Sequence, residues 1–282
     1  MKVFVTGVTG QLGYDVVNEL NKRGHSATGV GSKDLDITDA AAVRKMLGEI
    51  SPDAVIHCAA YTAVDKAEDE PEICMAVNAA GTANIADACR ETGAKMMYIS
   101  TDYVFSGEGT EPWKPDCRDY NPLNVYGLSK LEGEKKVSAL DRFFIVRIAW
   151  VFGKNGKNFI KTMLKLSETH DSLRVVNDQI GTPTYTYDLA RLLADMIETE
   201  KYGYYHATNE GGYISWAEFA EEIFRQAGKD VEVIPVSTEE YGLSKAKRPF
   251  NSRLDKSKLP ECGFTPLPDW KDALERFLKD ET

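Results

Sequence analysis

Short β-branched runs alternate with longer stretches of helical periodicity through the first half of the chain. Val3–Thr6, Ala27–Val30, Ala54–Cys58, Met96–Ser100 and Phe143–Arg147 read as strands. Between them, segments 11–23, 39–50, 71–92 and 127–139 carry a helical pattern and are long enough to cross between parallel neighbours. A strand, a crossover and a parallel strand close with one hand, so the pattern predicts an α/β fold, a Rossmann-type doubly wound parallel sheet. Beyond about residue 150 the alternation fades into short helices and Gly- and Pro-containing loops such as Gly181-Thr182-Pro183-Thr184. That half is expected to form a smaller, mixed α/β C-terminal lobe closing over the sheet. No repeat or low-complexity linker separates the halves, so the boundary is soft.

Composition narrows the class. Apolar residues make up 43% and charged residues 28% of 282 positions, the balance of an ordinary globular chain. A net charge of -10 argues against nucleic-acid and anionic-membrane partners, so any phosphate must be held by local geometry. No apolar run is long enough to span a bilayer, and Met1-Lys2-Val3-Phe4-Val5-Thr6-Gly7 enters a strand with no leader-like stretch before it. The five cysteines, at 58, 74, 89, 117 and 262, form no C-x-x-C pair or zinc spacing, and a reducing cytoplasm is the expectation. The four histidines are scattered, and no metal site is expected.

Candidate chemistry begins at Gly7-Val8-Thr9-Gly10-Gln11-Leu12-Gly13, which follows a strand and opens a helix. Glycines there permit a tight turn and let the backbone approach a pyrophosphate, whose charge is favoured by the free N–H groups of the helix start. The spacing is one residue wider than the dehydrogenase fingerprint. Residues 1–150 are therefore expected to form an NAD(P)-binding Rossmann domain, with contributions from later segments allowed, and 151–282 a substrate lobe. No carboxylate ends the second strand, where Gly29-Val30-Gly31-Ser32-Lys33 stands, so NADPH should be tolerated and the choice between NADPH and NADH stays open. Asp36-Ile37 is placed to flank the adenine, with helix capping by Asp36 or Asp39 as the plainer alternative.

Tyr126-Gly127-Leu128-Ser129-Lys130 puts a phenol and an ammonium on one helical face, where the cation is expected to favour the phenolate and ease proton release. The same five letters recur at Tyr241-Gly242-Leu243-Ser244-Lys245, so spacing alone cannot choose. Position can. Tyr126 lies between the fourth and fifth strands, after the hydroxyl-rich strand end Ser100-Thr101-Asp102-Tyr103, near where open α/β sheets bind ligands.

These features resemble the extended short-chain dehydrogenase/reductases, and within them the dTDP-4-dehydrorhamnose reductase family. The resemblance rests on the glycine loop, Ala59-Ala60-Tyr61-Thr62-Ala63-Val64-Asp65-Lys66-Ala67-Glu68, Ser100-Thr101-Asp102-Tyr103-Val104-Phe105 and Pro122-Leu123-Asn124-Val125-Tyr126-Gly127 with Lys130. It continues through Arg147-Ile148-Ala149-Trp150-Val151, Asn177-Asp178-Gln179, Arg248-Pro249 and Asn251-Ser252-Arg253-Leu254. It implies reduction of the 4-keto group of dTDP-4-dehydro-β-L-rhamnose to dTDP-L-rhamnose, a building block of surface polysaccharides, with NADPH or NADH as cofactor. It also implies catalytic Thr101, Tyr126 and Lys130, with Tyr126 as proton donor and Lys130 on the nicotinamide ribose. By the same resemblance Gly7, Gly10, Gln11, Leu12, Gly13, Asp36, Ile37, Ala60, Tyr61, Thr62 and Ile99 line the cofactor, and Thr101, Asp102, Trp150 and Arg253 meet the dTDP-sugar. A homodimer is left open.

Each assignment has a structural competitor. Thr101 could cap a strand, Asp102 a turn, and Trp150 could be core. Asn177, Asp178 and Gln179 read equally well as turn residues, and the helix from Trp216 reads as core packing. Two other functions compete: reduction of another nucleotide 4-keto-6-deoxysugar, and a non-catalytic NADP-binding regulatory subunit, as the β subunit of methionine adenosyltransferase is similar across this fold.

Overall fold

The computed structural model describes residues 1–281. Its centre is a six-stranded parallel sheet. Five strands come from the first half: β1 (Lys2–Thr6), β2 (Ser26–Val30), β3 (Ala54–His57), β4 (Lys95–Thr101) and β5 (Phe143–Ile148). The sixth, Gly203–His206, comes from the second half and pairs with β5, Tyr204 beside Ile145. Across the sheet the order is 203–206, β5, β4, β3, β1, β2. The chain thus leaves β1 to one side for β2 and returns to the other for β3, which opens a crevice above the ends of β1 and β3.

Strand composition follows from burial on both faces. Val3 and Val5 of β1 point into one core layer and Phe4 into the other, so a run of consecutive apolar residues replaces the alternation of a one-sided sheet. The first layer is closed by α1 (Gln11–Lys22), whose Leu12, Val16 and Leu20 meet Leu189, Leu193 and Ile197 of the helix Thr186–Ile197. The second is closed by α2 (Ala40–Ile50) and the helix Thr82–Thr92. Asp39 starts α2 by accepting from the amides of Ala41 and Ala42, while Asp36 accepts from the amide and hydroxyl of Thr38 in the turn before it.

The remaining second half builds its own core around Phe152, Tyr185, Phe219, Trp270 and Phe277. Small two-stranded pairings hold it, among them the parallel pair Glu232–Val236 with Ser172–Val176. No described helix is long and apolar enough to cross a membrane.

The helix expected over 71–92 is not uniform. It runs as α-helix Pro71–Met75, then a π-helical stretch Ala76–Gly81, then α-helix Thr82–Thr92. The wide turn carries Asn78, whose amide is buried and fully engaged. Its oxygen accepts from the Tyr61 amide at 2.8 Å, and its nitrogen donates to the Tyr61 carbonyl at 3.0 Å and to Ser129 Oγ at 2.9 Å. One polar side chain thus stitches the loop after β3 to the helix Val125–Val137.

Candidate active site

The crevice deepens into a cavity of about 980 Å³. Its floor at one end is the turn between β1 and α1, where three glycines have separate reasons. Gly7 sits at φ 74, and a Cβ there would strike the backbone of Ala59. At Gly13 a Cβ would run into the Gly7 carbonyl oxygen, so glycine lets α1 pack on its own turn. Gly10 is the helix N-cap and offers no side chain, which leaves the first amides of α1 without a side-chain partner. Uncapped N–H groups at a helix start, facing a cavity, suit an anion such as a dinucleotide pyrophosphate.

The other end is built from β4 and the helix Val125–Val137. Asn124 caps that helix by accepting from the Gly127 amide at 2.8 Å. A Cβ at Gly127 would collide with the Tyr103 carbonyl, so the helix start sits directly on the turn after β4. That contact brings Tyr126 beside Thr101, Asp102 and Tyr103, all on the cavity wall, and the Tyr103 and Tyr126 rings meet edge to face with centroids 5.6 Å apart. One turn on, Lys130 is 3% exposed, donates to the Ile99 carbonyl at 2.7 Å and lies over the Tyr98 ring at 4.1 Å.

The electrostatics revise one expectation from the sequence. Lys130 was expected to draw the Tyr126 phenol down. Instead burial, with the Asp102 carboxylate next, holds the phenol well above its usual range, although the Thr101 hydroxyl opposes the rise. Burial also pulls Lys130 down to about 7, against the opposing pull of Glu134. The reason is that both groups are desolvated together, which disfavours the charged form of each. A phenol so placed keeps its proton at neutral pH, which suits an acid. Asp102 is pushed up to about 6, chiefly by burial. The Ser252 and Thr101 hydroxyls oppose that rise, and Asp102 Oδ1 accepts from the Thr101 hydroxyl at 2.9 Å.

Nearly all of the residues singled out from the sequence converge here. Gly7, Gly10, Gln11, Leu12, Gly13, Asp36, Ile37, Ala60, Thr62, Ile99, Thr101, Asp102, Tyr126, Lys130 and Trp150 line the cavity. Tyr61 and Arg253 do not. The Tyr61 hydroxyl donates to Glu70 at 2.9 Å, and the Arg253 guanidinium donates to Asn251 Oδ1 at 3.1 Å. The competing Tyr241 lies on the short helix Thr238–Tyr241 away from the cavity, and Lys245 pairs with Asp69. Asp178 accepts from the amide and hydroxyl of Thr238 and Gln179 donates to that hydroxyl, which ties the segment after Ser172–Val176 to the helix Thr238–Tyr241.

Some contributors escaped sequence reasoning. Trp216 packs on the second-half core, as its helix was read to do, and also lines the cavity and stacks on Trp150 with ring centroids 3.8 Å apart. It opens its helix under a Ser215–Glu218 capping box, which is legible in the sequence, but the direction of its face is not. Asn78 is another. Its only signal was a polar residue in the apolar run Val77-Asn78-Ala79-Ala80.

The residues present fit a bound dinucleotide, and comparison with known proteins agrees. The family model for the RmlD substrate binding domain matches residues 1–282. A dTDP-4-dehydrorhamnose reductase of Streptomyces griseus is 43% identical over 277 residues, covering 96% of this chain and 90% of that protein. Among solved structures, a dTDP-4-dehydrorhamnose reductase of Clostridium acetobutylicum superposes with TM-score 0.96 at 44% identity, over 100% of this chain and 99% of that one. The Bacillus anthracis dTDP-4-dehydrorhamnose reductase, solved in complex with NADP, gives TM-score 0.95 at 44% identity over 99% of both chains. With the family model spanning every residue and reductases related along the whole length, the chain belongs to the RmlD substrate binding domain family of dTDP-4-dehydrorhamnose reductases, NAD(P)H-dependent oxidoreductases.

Proposed function

We propose that this chain reduces the 4-keto group of dTDP-4-dehydro-β-L-rhamnose, with Tyr126 as the proton donor. The observation that carries the reading is the seating of Tyr126 against Thr101 and Asp102 in the same cavity as the uncapped start of α1. When bound, NAD(P)H supplies the hydride to the sugar C4. The chain's residues do the rest. Amides at the start of α1 hold the pyrophosphate, and Asp36 and Ile37 flank the adenosine. Lys130, fixed by the Ile99 carbonyl, holds the nicotinamide ribose and opposes the negative charge left as the phenol gives up its proton. Thr101 orients the carbonyl oxygen toward the Tyr126 hydroxyl, and Asp102 meets the sugar from the same wall. Trp150 walls the sugar-nucleotide side. All five cysteines are unpaired, which supports a cytoplasmic setting.

The test is the Tyr126→Phe variant, assayed by coenzyme oxidation with the 4-keto sugar nucleotide. Loss of one general acid should lower kcat by about 100-fold or more while coenzyme affinity stays within about twofold. Tyr241→Phe is the control and should retain full turnover. Wild-type turnover in Tyr126→Phe would overturn the assignment, and a panel of other nucleotide ketosugars tests the substrate.

A further inference from the structure

The proposed cofactor site is short of positive charge. A pyrophosphate linker carries two negative charges, the protein as a whole carries -10, and among the described residues no arginine lines the cavity. The charged residues on its wall are Asp36, Asp102, Lys130 and Lys157. Lys130 is buried at the far end and spends its amine on the Ile99 carbonyl. Lys157 is the remaining cation.

Lys157 reaches this wall from the second half of the chain, on the turn between Phe152 and the helix Phe159–Leu166. The turn is tied to the glycine loop by two side chains. Asn155 Nδ2 donates to the Thr9 carbonyl at 2.9 Å and to the Gly10 carbonyl at 3.2 Å. Asn158 Nδ2 donates to Gln11 Oε1 at 3.0 Å and to the Gly153 carbonyl at 2.9 Å, while its own oxygen caps the following helix through the Lys161 amide. Gly156, at φ 86, lies against the Gln11 side chain, with 3.6 Å between an added Cβ and Gln11 Cγ. Gly156 and Lys157 therefore sit over the uncapped start of α1, and the Lys157 side chain is exposed at the cavity rim.

Resting on the dinucleotide reading of the cavity, we propose that the strap 153–158 is the upper half of the pyrophosphate site and that Lys157 supplies its cation. The glycine loop offers hydrogen-bond donors but no full charge, and a lysine at the rim adds the charge without the desolvation cost of a buried one. The contact serves NADH and NADPH alike, because both carry the same linker.

Binding of NADH, NADPH and dTDP to the full chain, followed by ligand fluorescence or calorimetry at two salt concentrations, tests this. Lys157→Ala and Lys157→Gln should weaken both coenzymes by about 10-fold, with a shallower salt dependence, while dTDP affinity is unchanged. Lys157→Arg should restore most of the loss. The side chain is exposed, so the variants should fold, as circular dichroism will show. Weakening of NADPH alone would place Lys157 on the 2′-phosphate. Weakening of dTDP alone would place it on the sugar nucleotide. Either result, or no change in any ligand, overturns the proposal. A wild-type chain that binds neither coenzyme would instead sink the dinucleotide reading itself.

Discussion

Trp150 and Trp216 lie face to face, 3.8 Å between ring centroids and 16° from parallel, although 66 positions of chain separate them. Trp150 holds a left-handed backbone at φ 51, a conformation that costs a bulky residue on the order of 1–3 kcal/mol. Gly181 makes room for it, since a Cβ there would press on the indole at 2.9 Å. The strained backbone turns one indole face to Trp216 and keeps the ring on the cavity wall. Removing the partner should let Trp150 relax. Trp216→Ala is therefore expected to raise KM for the sugar nucleotide by about 10-fold with a smaller effect on kcat and little on coenzyme affinity, and Trp216→Phe should recover part of the loss. Steady-state kinetics with each substrate varied in turn checks the split.

Asp102 links function to stability. Its folded-state value of about 6 stands above the 3.8 of a free carboxyl, so its contribution to stability is full below about 3.8 and is lost as pH rises through about 6. At neutral pH the buried charge is a burden on the order of 2–3 kcal/mol. Asp102→Asn should accordingly raise Tm at pH 8, with the gain fading by pH 4, while weakening sugar-nucleotide binding. Thermal melts across pH, paired with substrate titrations, would show whether the gain follows that window.

Behind Lys130, Arg147 and Glu134 form a buried pair at 2.8 Å, exposed by 0% and 1% of their side chains. Arg147 also donates to the Tyr120 hydroxyl at 2.7 Å. Cutting one partner leaves an uncompensated charge, so Glu134→Ala should destabilise the protein by about 3–5 kcal/mol in denaturant unfolding. The double change Arg147→Met with Glu134→Leu should recover much of that loss. An equally unstable double variant would show that the surrounding hydrogen bonds, rather than the lone charge, set the cost.

Two glycine replacements should part company. Gly13→Ala drives a methyl group into the Gly7 carbonyl and should abolish coenzyme binding by opening the turn. Gly48→Ala, in the body of α2 with nothing within 4 Å of the added carbon, should leave binding intact and raise stability by about 0.5–1 kcal/mol. Urea unfolding and NADPH titration of the two variants side by side measure both effects.

Much of this was legible in the order of residues. Continuous apolar runs marked β1, β3 and β4 because those strands are buried on both faces, and the glycine spacing marked the turn because only glycine tolerates its φ and its close contacts. The uneven helix over 71–92 was not legible, since a π-helical turn preserves helical periodicity closely enough to hide one widened step. The sixth strand of the sheet was missed because Gly203–His206 is short and sits in the irregular half, where pairing with β5 rather than local pattern makes it a strand.

The local chemistry of the chain therefore determined five of the six sheet strands and the glycine turn at the start of α1, because turns, caps and buried strands depend on neighbours within a few positions. Position between the fourth and fifth strands already favoured Tyr126 over Tyr241; only the tertiary structure put Tyr126 on the cavity wall and Tyr241 away from it, brought Trp216 and Lys157 to a cavity that begins at Gly7, and reversed the expected effect on the phenol. Those outcomes depend on what is packed around a group and how far it stands from water. Distance through space and exclusion of solvent are set by how the sheet and the second half close on each other, and no spacing along the chain encodes them.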